Sequence, residues 1–504
     1  MELNEYEKKH NEYLASNVAE CTLFLKRNND FPLCGPCPVA LYGSGARKTI
    51  KGGTGSGEVN SRFFINIEDG LKNAGFTITS GKWLDSYDAI VKKATKNFYK
   101  ELKADARKKH TLAIYTAMGA IMPEPEYDIP LNGDGEVGIY VVSRISGEGS
   151  DRTAKPGDIK LSSTEVRDIL ATSKKYSKFL LVINAGGVID LTPVMEVENI
   201  LVLSQLGVVT GSVFADILLG KQNPSGKLAT TWTSWKDYPS FAEFGDVNDT
   251  RYNEGIYVGY RYFDSVGKKA QFPFGFGLSY TSFSVDATPS PIINNGTEIT
   301  IKAMVKNTGT VPGKEVVQAY VSIPEGKLDE PYQVLCGFKK TSLLKPNQEE
   351  EIEITFDMRD IAPYSQADNA YILEAGNYII RVGNSSTNTN VFGSITLPAE
   401  VKVRQVRSCV SAPDFTDFKP DSKPVTNSND CQSITISPDV FSTINTNYDS
   451  TNEIDSRVKK LSDDVLMRLV LGAYGLSKGM QSIVGNAGFS VAGAAGQTSL
   501  EATN

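Results

Sequence analysis

The sequence predicts a chain of α/β plus all-β class: an α/β sandwich domain with a mostly parallel sheet, then an antiparallel β-sandwich, then a short helical segment. Three observations carry this. In the first half, apolar runs alternate with helix-patterned segments, and strands apolar throughout are strands covered on both faces. From about 285 to 400 the hydrophobicity alternates with period two, with turn residues between the runs, as in strands with one wet face. After a stretch rich in Pro, Ser, Asn, Thr and Asp at 410–450, a helical period returns at 453–472.

The elements follow in order. The opening "MELNEYEKKHNEYLASNVAE" is charged and helical in pattern, without the apolar stretch of a signal peptide. "PVALYG" (38–43) is a short strand ending in Gly before a Gly-rich loop. "NIEDGLKNAGFTITSG" (66–81) is a helix with a Gly C-cap followed by a strand. "VGIYVVSR" (137–144) is a strand, "SSTEVRDILATSKKY" (162–176) a Ser-capped helix, "FLLVINAGG" and "NILVLSQLG" further strands, and "GSVFADILLGKQNPSG" a helix stopped by Gly and Pro. The runs "ITIKAMVKN", "KEVVQAYVSI", "EEEIEITFDM" and "GNYIIRVGN" then build a sandwich like a fibronectin type III or immunoglobulin module. In "EIDSRVKKLSDDVLMRLVLG", Leu461, Val465, Leu466, Leu469 and Val470 share a helical face, with Ser462 as N-cap. The expected domains are 1–283, 284–405, a linker at 406–450, and 451–504.

Composition excludes several functions. A net charge of −7 over 504 residues offers no basic face for nucleic acid. No apolar run is long enough to span a bilayer, so no membrane partner is expected. Six cysteines are too sparse for a disulfide scaffold and fit a reducing cytoplasm. The sequons at Asn248, Asn295 and Asn384 are then chance matches. His10 and His110 are the only histidines, and no metal or organic cofactor is implied.

Four motifs invite chemistry and do not sustain it. "CGPC" (34–37) is the dithiol of thioredoxin-like enzymes, but that dithiol opens a helix, whereas here Cys37 leads into a strand with no strand read before it. Two further ligands for a metal are lacking, so the plain alternative is a turn. "GSGARKT" (43–49) lacks the P-loop frame, and "GGTGSG" (52–57) lacks dinucleotide-loop spacing, although its backbone can approach a ligand closely. "NGDGEV" (132–137) lacks the calcium-loop Gly and is taken as a turn.

"VVSRISGEGSDR" (141–152) is different. A strand runs directly into a loop in which Glu148 stands between Gly147 and Gly149, with Arg144, Asp151 and Arg152 near in sequence. Loops outside the carboxyl ends of strands are where open α/β sheets bind ligands. A carboxyl presented there, with its pKa raised, can act as a general acid. The alternative is a solvated charged loop.

These residues carry a resemblance. "KGGTGSGEVN", "SRISGEGSDR", "LLGKQNPSGKLATTW", "IYVGYRYFD" and "FPFGFGLSYTSF" resemble, in order, the α/β sandwich domain of glycoside hydrolase family 3, β-glucosidase type. "VKNTGTVPGKEVVQAYV" and "LCGFKKTSLLKP" resemble its fibronectin III-like domain. The resemblance implies that Glu148 is the acid/base, and that Lys51, Gly52, Gly53, Thr54, Gly55 and Ser56 line the mouth of the sugar site. It gives "LCGPC" no role beyond leading into a strand. Tyr260, Arg261 and Tyr262 fit packing at the domain exit better than ligand binding.

The order resembles a circularly permuted branch, in which "KKLSDDVLMRLVLG" and "VAGAAGQTS" open the (β/α)8 barrel. The barrel's nucleophilic aspartate, expected in a Ser-Asp-Trp context, is not found: Trp83, Trp232 and Trp235 are the only tryptophans, and none follows Ser-Asp. The expectation is therefore retaining β-glucoside hydrolysis, with this chain supplying the acid/base and a barrel outside these residues, for example on a second polypeptide, supplying the nucleophile. The sugar is left open among glucose, xylose and other pyranosides. The alternatives are a non-catalytic carbohydrate-binding remnant and a thiol redox protein using Cys34 and Cys37.

Overall fold

The computed structural model describes residues 3–54, 59, 61–113, 116, 120, 122–145, 152–240, 250–287, 291–409, 415–424, 431–446 and 454–471. They fall in two compact units, 1–444 and 445–504. No helix among the described residues is long and apolar enough to cross a membrane.

The first unit opens with α1 (Glu5–Asn17) and β1 (Leu23–Lys26), then β2 (Pro38–Tyr42), α2 (Ile67–Asn73), β3 (Thr77–Ile78) and α3 (Gly81–Lys108). It continues through β4 (Val137–Arg144), α4 (Ser163–Lys175), β5 (Lys178–Ala185), β6 (Ile200–Val202) and α5 (Thr210–Leu218) to a short α6 (Tyr260–Ser265). The strands form one sheet in the order β1-β6-β5-β4-β2-β3. Every pair is parallel except β1 with β6. All eight residues of β4 are buried, as covering a sheet on both faces demands.

Local signals place the helices. Ser162 and Glu165 form a reciprocal capping box at the start of α4, and Asn66 caps α2 by accepting from the Asp69 N–H. Gly75, at φ +93°, ends the α2 turn before β3. α3, on a stretch with no element assigned from its pattern, is amphipathic. Its Trp83, Leu84, Tyr87 and Val91 are buried, and Trp83 stacks on Tyr87 at 5.2 Å.

One strand departs from the sequence reading. "LFLK" (23–26) precedes the CGPC turn as a strand, β1. It pairs antiparallel with β6 at the far edge of the sheet and so does not form a βαβ unit with β2.

The second half of this unit is a β-sandwich, as its alternation predicts. One sheet runs β11-β10-β15-β16-β18 (Val334–Lys340, Val316–Ser322, Gly376–Ser385, Asn388–Leu397, Gln432–Thr435), and the other runs β12-β9-β7 (Glu349–Asp357, Glu298–Asn307, Phe283–Asp286), with β8 (Ile293–Asn295) also on β9, while β13 (Tyr364–Ser365), β14 (Ala370–Leu373) and β17 (Val401–Gln405) pair in a further small sheet. β12 alternates wet and buried positions, with Ile352, Ile354 and Phe356 inward. Part of the stretch whose composition indicates a linker is integrated: β18 pairs parallel with β16, and Ile436 is buried behind it in the sandwich core. Ile434 packs against the same core and Phe441 joins it, so apolar residues spaced through a polar run anchor the stretch.

Buried and half-buried ion pairs join the two halves. Lys227 meets Glu315 at 2.6 Å, and Glu20 takes both Lys340, at 2.9 Å, and Lys314. Tyr260 stacks on Phe274 at 4.7 Å and its hydroxyl accepts the Leu335 N–H at 2.8 Å, the packing role expected at the domain exit.

In the second unit the single helix read from 453–472 is two: α7 (Ser456–Lys459), capped by Asp455, and α8 (Asp463–Leu471). Ser462 begins the second, its hydroxyl accepting the Val465 N–H at 3.4 Å. A side chain that competes for backbone N–H groups starts a helix more readily than it continues one.

Candidate active site

In the sheet order, β3 lies on one side of β2 and β4 on the other, so the chain reverses direction between β2 and β4. That switch point, at the carboxyl ends of the strands, is the ligand crevice of open α/β folds. The loop after β2 carries KGGTGSG and the loop after β4 carries SGEGSDR.

The two loops leave the sheet in contact. Gly43 turns at φ +90°, and a Cβ there would stand 2.3 Å from the carbonyl oxygen of Val141 on β4. No side chain fits. Ser44 Oγ accepts the Ser143 N–H at 3.0 Å.

Asn184, fully buried at the end of β5, joins three loops. Its Oδ1 accepts from the Ile50 N–H at 2.6 Å and from Ser143 Oγ at 2.8 Å. Its Nδ2 donates to the Ile50 and Ser204 carbonyls at 2.9 and 2.6 Å. The Lys51 carbonyl accepts the Gly207 N–H at 3.0 Å. The base of the KGGTGSG loop is thus pinned from β4, β5 and the segment after β6.

Lys51, Gly52, Gly53 and Thr54 come together at the rim, each half-buried. The Lys51 ammonium donates to the Val59 carbonyl at 2.6 Å and to Ser61 Oγ at 2.5 Å, so it braces its own loop. Gly55 and Ser56 lie outside the described residues, as do Gly147, Glu148, Gly149 and Asp151.

The residues flanking Glu148 are described, and their charges are taken up by the scaffold. Arg144, at the end of β4, is buried and forms a forked pair from Nη2 to both Glu165 oxygens, at 2.6 and 2.9 Å. Glu165 also accepts the Ser162 N–H at 2.8 Å, so one carboxylate caps α4 and neutralises β4. Arg152 donates to Asp158 Oδ1 at 2.8 Å and to the Val188 carbonyl at 2.8 Å. These arginines are structural stems, a different role from the free tuning charges their spacing indicates.

Glu124 is seated against the same scaffold, its N–H donating to the Gly157 carbonyl at 3.2 Å. Burial, and then the Glu165 charge, push its carboxyl up to about 7, against a hydrogen bond from the Tyr87 hydroxyl at 2.7 Å. Neither Glu124 nor Asp158 carries a sequence signal; each sits in a stretch without periodicity. Glu165 carried one, the capping box, which spoke only of the helix.

The other motifs resolve as turns. Cys37 leads into β2, and burial pushes its thiol up, opposite to the activation of a redox dithiol. NGDGEV is a turn whose Gly133 is held by the Tyr42 and Tyr176 hydroxyls at 2.8 and 2.7 Å.

Comparison with known proteins agrees with this architecture. Residues 22–280 match the glycosyl hydrolase family 3 C-terminal domain, and residues 315–386 match a fibronectin type III-like domain. Beta-glucosidase A of Butyrivibrio fibrisolvens is 33% identical over 451 residues, 79% of this chain and 52% of that protein. A beta-glucosidase of Ruminococcus albus is 32% identical over 430 residues, 81% of this chain and 43% of that one. Among solved structures, beta-glucosidase 3B from Thermotoga neapolitana in complex with alpha-D-glucose superposes with a TM-score of 0.66 at 33% identity, over 79% of this chain and 55% of that chain. The chain spans about half the length of the curated relatives it matches.

Proposed function

The chain belongs to glycoside hydrolase family 3, and from that premise we propose that it serves the hydrolysis of β-glycosides, β-glucosides first, with Glu148 as acid/base of a retaining mechanism. One observation carries this: β4, which in sequence leads into the Gly-Glu-Gly run, ends beside β2, which leads into the KGGTGSG loop, at the switch point of the sheet. The beta-glucosidases that match over four-fifths of this chain supply the substrate class.

In this mechanism Glu148 protonates the glycosidic oxygen as it leaves, then takes a proton from the water that releases the sugar. A second carboxylate, about 5 Å away, attacks the anomeric carbon. We assign that nucleophile to a barrel outside these 504 residues, on a second polypeptide or a longer chain. Of the described rim residues, Lys51, Gly52 and Gly53 offer mainly backbone to the sugar, since Lys51's ammonium is already engaged and the glycines carry no side chain.

The test is hydrolysis of an aryl β-glucoside by the chain alone and by the chain mixed with a family 3 barrel domain. The expected result is turnover in the mixture that falls about 10²- to 10⁴-fold in Glu148→Gln. Turnover unchanged in Glu148→Gln would refute the assignment. No turnover in the mixture would favour a non-catalytic carbohydrate-binding role.

A further inference from the structure

The segment 146–151 lies between two stems that meet at one residue. From the first stem, Arg144 Nε donates to the backbone carbonyl of Asp158 at 2.9 Å. From the second, Arg152 Nε donates to Asp158 Oδ1 at 2.8 Å, while the Thr153 N–H and hydroxyl both donate to Oδ2, at 2.5 and 3.0 Å. Asp158 is buried.

Its own position is fixed from several sides. Asp158 N–H donates to the Lys155 carbonyl at 3.2 Å, and the Gly157 N–H to the Lys160 carbonyl at 2.8 Å. Gly157 has φ +84°, and a Cβ there would come 2.8 Å from the Glu124 nitrogen. The Glu124 N–H donates to the Gly157 carbonyl at 3.2 Å, and the Asp190 N–H to the Ile159 carbonyl at 2.8 Å. The turn is therefore seated on the residue before it in space, Glu124, and on the loop after β5.

We propose that Asp158 is a positioning residue: it ties both ends of the Glu148-bearing segment to the sheet, and so sets where the acid/base stands. This role presupposes the assignment of Glu148 made above. The carboxylate is needed because its two oxygens do different work. Oδ1 neutralises a half-buried guanidinium and Oδ2 accepts from Thr153 twice. An amide in its place keeps the size, loses the charge and one acceptor, and leaves the half-buried Arg152 without its counter-ion, its Nη2 already buried with no partner among the described residues.

Hydrogen–deuterium exchange of the full chain, read by mass spectrometry, tests the tether directly. In Asp158→Asn, amide exchange of the peptide spanning 145–154 should rise about tenfold or more, with β4 and β5 unchanged. Thr153→Val, which removes only the hydroxyl, should give a smaller rise and serves if the first variant fails to fold. Unchanged exchange in a folded variant would overturn the tether.

The positioning role has its own readout, in the mixture with a barrel domain. Asp158→Asn should lose activity on an alkyl β-glucoside, whose poor leaving group needs the acid, by about tenfold more than on 2,4-dinitrophenyl β-glucoside, whose leaving group does not. Equal losses on both would overturn positioning and leave a purely structural role. If the wild-type mixture cleaves neither substrate, the assignment of Glu148 fails, while the exchange result still decides the tether.

Discussion

Arg144 and Glu165 face each other across 2.6 Å inside the α/β domain, their side chains 5% and 1% exposed. One ends the strand that precedes the Glu148 segment, and the other caps the helix that follows it. The pair therefore locks β4 to α4.

Removing one partner of such a pair should be costly. Glu165→Leu strands a buried guanidinium and removes one of the two bonds of the α4 capping box, and the expected loss in urea unfolding is roughly 3–5 kcal/mol. Arg144→Met combined with Glu165→Leu should recover much of it, because the penalty comes from the unpaired charge. A double variant no more stable than the single would show that the packing, not the charge, carries the effect.

Glu124 makes stability depend on pH in a definite direction. Its folded value of about 7 lies above the ordinary 4.5, so the native state holds a proton that the unfolded state releases. The stability tied to that proton is full below about pH 4.5 and is lost as pH rises through about 7. The groups acting on it are Tyr87, Glu165, Arg144 and Lys48. Glu124→Gln should therefore gain on the wild type between pH 5 and pH 8, by on the order of 1–3 kcal/mol. A stability difference that stays flat across this range would contradict the assignment.

Asn184 is a buried hub, so its loss should loosen loops rather than strands. Asn184→Ala leaves the Ile50 N–H and C=O and the Ser204 C=O without their partner, at roughly 1–3 kcal/mol for each buried group left unpaired. Faster amide exchange at Ile50, with the centre of β5 protected, is the expected signature. Exchange that rises evenly through the sheet would point to global destabilisation instead.

Cys37 should behave as a shielded thiol. With its pKa raised by burial, alkylation by iodoacetamide at pH 7 should be about tenfold or more slower in the native chain than in urea. Rapid native labelling of Cys34 and Cys37 together would revive the redox alternative.

The sequence by itself determined the class of each half, because burial writes a period into the chain. β4 could be located to the residue in VGIYVVSR, since a strand covered on both faces must be apolar throughout. The sandwich strands followed from alternation, and the acid/base candidate from two glycines around a glutamate just beyond a strand. What the sequence could not show is which distant residues meet. Asp158, Glu124 and Asn184 have no periodic signature. Their roles arise because the order β5-β4-β2 brings the ends of three strands together. Arg144 and Arg152 looked like free charges near Glu148. Only the tertiary structure supplies Glu165 and Asp158 as their partners, because a buried charge must find its counter-ion wherever the fold places one.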